Sequence, residues 1–166
     1  MGNVGGLVVA SVIDWLHLLA TVAWIGGVFI NNLALSPSAR ESLEPPAMGR
    51  FMASYMRRFR VITYVCMGVL VVTGVIMMLF SPKYTGGFDS SSTWAIFLLL
   101  KHILVVVLII IGIYILEVLN PKMGRAGAQG PSPEVAKLQA LLRKLGMASF
   151  GVGLLILLFT AVTSVT

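Results

Sequence analysis

Residues 94–119 read WAIFLLLKHILVVVLIIIGIYILEVL, a run of 26 residues in which only Lys101, His102 and Glu117 are basic or acidic. A helix rises about 1.5 Å per residue, so about 20 mainly apolar residues cross the hydrocarbon of a bilayer. The stretch is long enough to span a membrane. Working outward from it, residues 7–35, 61–80 and 145–165 are apolar runs of the same kind. Across all 166 residues, 58% are hydrophobic and 11% charged, against about 25% charged in an ordinary soluble domain. What lies between the runs is too short for a second domain. The expected fold is all-α, a single integral membrane four-helix bundle over residues 1–166 with up-down-up-down order and short links.

The connections refine the helix limits. Ser36-Pro37-Ser38 is expected to end helix one. From Pro46 onward, Phe51, Tyr55, Phe59 and Ile62 recur at helical spacing, so helix two begins before the membrane and runs in past Arg57, Arg58 and Arg60. Ser81-Pro82 stops it, and Asn120-Pro121 is expected to stop helix three. Ser132-Pro133-Glu134 reads as an N-cap, a first-turn proline and an acid at the helix dipole. The helices are thus expected at about 7–35, 47–80, 94–119 and 133–165. Small residues such as Gly26, Gly27, Gly112, Ser149 and Gly153 suit close helix approach.

The formal net charge is +6, yet its distribution speaks against nucleic acid as a partner. Five Lys and Arg lie between Arg40 and Arg60, and five between Lys122 and Lys144. Only Lys83 sits in the middle loop, and the N-terminal tail has none. That is the positive-inside pattern. It predicts a multi-pass plasma-membrane protein with both termini and the 81–93 loop extracytoplasmic. Cys66 is the only cysteine, which excludes an intrachain disulfide and a CxxC metal site. The start of the chain lacks the basic region and cleavage pattern of a secretory signal, and Gly6 breaks the myristoylation pattern, so helix one reads as a retained span.

Ionisable groups inside a span are costly and by default mark function. Helix one carries Asp14 and His17, and helix three carries Lys101 and His102, with Glu117 near its basic end. Counted from either end of their spans, the two histidines differ in depth by only about 3 Å. Two imidazoles at one level on parallel helices can grip a metal from opposite sides. A b-type haem can take such a pair as its axial ligands. Lys101 would then serve a haem propionate, Asp14 would neutralise Lys101 or orient an imidazole, and Trp24 would wall the cofactor. This predicts a membrane haem b protein in electron transfer or haem-linked redox, with a redox partner or a larger membrane complex, or as a homodimer. The bland reading bonds each histidine to a backbone carbonyl and leaves Trp24 as packing. Copper is the competing metal, since soft thioethers select Cu(I). However, Met48, Met52 and Met56 form their stripe on the basic extension of helix two, far from the histidines, where core filling is the simpler role.

Three segments resemble a known family. His17-Leu18-Leu19-Ala20-Thr21-Val22-Ala23-Trp24-Ile25-Gly26-Gly27 is similar to the first-helix signature of the CopD-like membrane domain. Leu99-Leu100-Lys101-His102-Ile103-Leu104 resembles its third-helix segment, and Phe159-Thr160-Ala161-Val162-Thr163-Ser164 its last helix. The CopD resemblance implies copper handling. The same histidine and lysine resemble those of HemJ-type protoporphyrinogen oxidases, small haem-associated four-helix membrane proteins, and that resemblance maps the functional pair onto His17 and Lys101. The last helix begins Arg143-Lys144-Leu145-Gly146 and departs from the HemJ pattern. His102 adds a second potential axial ligand beside the shared lysine.

Overall fold

A computed structural model describes residues 4–82, 84 and 92–165. These residues form four long helices and no strand. They are α1 (Val4–Ser42), α2 (Pro45–Leu79), α3 (Thr93–Ala128) and α4 (Pro133–Val165), each long and apolar enough to cross a membrane. The chain is a multi-pass membrane protein. Most of the 81–93 loop, Lys83 included, lies outside the described residues.

The helix starts follow local chemistry. Ser92 Oγ accepts the Ala95 N–H at 3.2 Å and opens α3. Ser132 Oγ accepts the Val135 N–H at 3.3 Å, with Pro133 first in α4, as the capping signal predicts. Glu44 is extended, and Pro45-Pro46 follow at the first turn of α2, where a missing N–H costs nothing.

The stops differ from expectation. Neither Pro37 nor Pro121 ends its helix. Each is preceded by a single π-helical turn, Asn31–Leu35 in α1 and Ile115–Leu119 in α3. In each case the residue just before the proline bonds five residues back: Ser36 N–H to the Asn31 carbonyl, and Asn120 N–H to that of Ile115. A proline inside an α-helix lacks one N–H and crowds the carbonyl four residues earlier. The wider turn shifts the bonding pattern by one residue just where the proline would break it. The helices then continue to Ser42 and Ala128.

α1 packs along α2, and α3 along α4, as two antiparallel hairpins. α4 also packs on α1, and α2 meets the far end of α3. That leaves α1 and α3 on the diagonal of the bundle. One layer draws on all four helices: Ala20 and Trp24, Cys66 and Met67, Leu108, and Ile156. Glycines allow the close approaches between helices. Met67 Cε lies 2.8 Å from where a Cβ on Gly112 would stand, and Ile25 packs 3.6 Å from that position on Gly153. Phe29 and Phe150 tilt together with centroids 5.4 Å apart. Large apolar side chains elsewhere point outward (Val22 is 70% exposed and Ile110 61%), as a lipid-facing surface requires.

Candidate functional site

The site is built around His17. It lies seven residues, about 10 Å along α1, before Trp24 of the central layer. Its Nδ1 is 2.7 Å from Thr73 Oγ1 on α2. That hydroxyl sits 2.6 Å from the Val69 carbonyl of its own helix. A carbonyl only accepts, so the single hydroxyl proton goes to Val69. The hydroxyl oxygen must then accept, and the imidazole donates from Nδ1–H. In the neutral ring this leaves the proton off Nε2, whose lone pair is available as a ligand. Thr73 is buried and holds one fixed geometry. Thr21 Oγ1 donates to the His17 carbonyl at 2.7 Å, and the ring's Cε1 rests beside Gly74. His17 thus takes its partner from a side chain on another helix and not from a backbone carbonyl.

His102 reaches the same tautomer by a different route. Its Nδ1 lies 2.7 Å from the Leu98 carbonyl of its own α3. The ring must donate there, again leaving Nε2 unprotonated. For this residue the expected backbone bond is present, and it occupies only one of the two nitrogens. Trp24 Cζ2 lies 4.0 Å from the Cβ position of Gly112, which links the levels of α1 and α3. His102 stands ten residues outward from Gly112, about 15 Å. It is thus roughly 5 Å farther than His17 from the central layer.

The remaining expected residues divide clearly. Lys101 is half-buried and precedes His102 directly on α3. Asp14 is exposed, and it forms no ion pair with Lys101 among the described residues. Trp24 is only 5% exposed and belongs to the central layer, so packing is its observed role. Met56 Sδ accepts from Asn120 Nδ2 at 3.5 Å where α2 meets α3, at the opposite end from the histidines. No cluster of three or more His, Cys, Asp or Glu exists among the described residues.

Sequence reasoning missed two features. Thr73 is one, since nothing in α2 alone marks it as the partner of His17. The other is a polar tie at the basic end. Glu117 of α3 takes Arg60 Nη2 at 2.7 Å on one oxygen and the Tyr64 hydroxyl at 2.5 Å on the other. Arg60 and Tyr64 are four residues apart on one face of α2, which was the available signal.

A family model described as CopD, copper resistance protein D, matches residues 53–163. The match runs from the basic half of α2 almost to the end of α4. It includes Lys101 and His102, while Asp14, His17 and Trp24 precede it. No curated protein and no solved structure matches the chain.

Proposed function

The chain belongs to the CopD family, copper resistance protein D, and from that premise we propose that it handles copper within the membrane, with Nε2 of His17 and Nε2 of His102 as nitrogen donors. Copper is the cargo, and its passage is ligand exchange without net redox. The observation that carries the reading is the partner of each Nδ1, Thr73 Oγ1 for His17 and the Leu98 carbonyl for His102, both at 2.7 Å. Each gives its only N–H to a fixed acceptor, Thr73 or Leu98, and keeps a lone pair on Nε2. Imidazole suits copper well, and an outer partner that orients the ring is the usual companion of a metal-binding histidine. Thr73 holds the His17 ring and keeps its Nδ1 proton in place. The Lys101 ammonium, next in sequence to His102, would oppose a long stay of any cation there, and cargo must leave as well as enter.

The same pair of lone pairs on diagonal helices supports a second reading, a haem b held between His17 and His102 and used for electron transfer. Lys101 would then face a propionate. One set of measurements separates the two. The purified protein is assayed for copper content and affinity and for a reducible haem absorption spectrum. The copper reading expects bound copper without haem, affinity at least about tenfold weaker in His17→Ala and in His102→Ala, and tighter copper binding in Lys101→Met, since a repelling charge is gone. The haem reading expects a haem spectrum that is weakened by all three changes. Copper binding indifferent to both histidines would overturn the first reading. Turnover of a porphyrinogen would transfer the function to a HemJ-like oxidase.

A further inference from the structure

At the basic end, α2 and α3 part to leave a cleft of about 230 Å³. Arg57, Arg60 and Asn120 supply its polar lining, and Leu116 and Pro121 part of its apolar wall. Charge in the cleft is unbalanced. Glu117 answers Arg60 and is itself filled on its second oxygen by Tyr64. Arg57 has no ion pair or hydrogen bond among the described residues. Asn120 Nδ2 has only the thioether of Met56, at 3.5 Å, a weak acceptor that an oxyanion readily outcompetes. Arg60 keeps donors beyond the one bonded to Glu117, since a guanidinium carries five.

The position of the cleft is equally informative. The apolar run of α2 begins directly after Arg60, and that of α3 ends at Leu119, directly before Asn120. Two helices running in opposite directions thus set the edge of the hydrocarbon at the same level, and the cleft lies on it. Lipid headgroups occupy that level, and ten Lys and Arg, Arg57 and Arg60 among them, gather on the helix ends at this side of the bundle.

We propose that this cleft binds a phosphate oxyanion, supplied by the headgroup of an anionic phospholipid of the adjoining leaflet, with Arg57 and Asn120 as its main donors and Arg60 held ready by Glu117. A planar guanidinium fits two phosphate oxygens at once, and Leu116 and Pro121 receive the glycerol end. The site is independent of copper handling and lies at the opposite end of the bundle from the histidines. The test uses the full chain in neutral detergent, stripped of lipid and titrated in separate arms with phosphatidylglycerol, phosphatidylcholine and inorganic phosphate, with binding read by native mass spectrometry. One phosphatidylglycerol should bind tightly and phosphatidylcholine much less, its choline being repelled by Arg57. Arg57→Gln should weaken phosphatidylglycerol binding by about tenfold or more, Arg57→Lys by less, and Arg143→Gln not at all. If Arg57→Gln loses its helicity, Asn120→Ala serves in its place. Equal losses in Arg57→Gln and Arg143→Gln would mean diffuse attraction to the basic loops and overturn the proposal. Inorganic phosphate displacing the lipid at equal concentration would overturn the lipid assignment.

Discussion

Thr73 decides which nitrogen of His17 is free, although it carries no charge and stands 56 residues away. A threonine inside a span ordinarily returns its hydroxyl proton to the helix, and Thr160 of α4 does so too, at 2.8 Å from the Ile156 carbonyl. The difference is that an imidazole lies over Thr73. Thr73→Val removes the acceptor and keeps the shape, so the ring loses its anchor and its preferred tautomer. Copper affinity should fall by about tenfold or more, while Thr160→Val leaves it unchanged. Equal affinities in both variants, measured by competition with a chromogenic chelator, would contradict the role given to Thr73. His17, Lys101 and His102 were legible in the sequence because an ionisable group stands out in an apolar run. Thr73 was not, since a hydroxyl satisfied by its own helix is unremarkable until the neighbouring helix is in place.

At the level of the element, prolines were the misleading signal and capping residues the reliable one. Ser132-Pro133 opens α4 as read, because a cap is satisfied within three residues. Pro37 and Pro121 were read as stops, yet the π turns before them carry both helices onward. Bonding five residues back has no sequence pattern comparable to a cap, so the extensions to Ser42 and Ala128 were not visible. Close contacts between helices were visible only as a supply of glycines. Gly146 shows what the supply does not reveal. A Cβ there would run into the Asn32 side chain, which is held by its own bond to the Val28 carbonyl at 2.8 Å. Gly146→Ala should therefore cost about 1–3 kcal/mol of stability. Adding Asn32→Ala should restore most of it, because the obstructing amide is gone. A melting temperature of the double variant below that of Gly146→Ala would refute the assigned clash.

For the whole molecule, the four spans and their alternation follow from hydrophobic length alone. The one-sided basic residues predict an orientation, and with it a simple labelling result. A membrane-impermeant maleimide applied to intact cells should react with Val165→Cys and spare Gly127→Cys, with little background from buried Cys66. The reverse pattern would invert the topology. The arrangement of the hairpins was not legible, because Arg60 and Glu117 are 57 residues apart and nothing local pairs them. Their tie has a mechanical consequence. Arg60 with Glu117, Asn32 with Gly146 and Phe29 with Phe150 all join one hairpin to the other from the middle of the bundle toward its basic end. Two rods pinned toward one end would splay most easily at the other, by an amount that grows with distance from the pin. His17 rides on one rod and His102 on the other, both beyond the pin. The gap between their rings would change with this splay, and an ion held by both would act as the clasp that closes it.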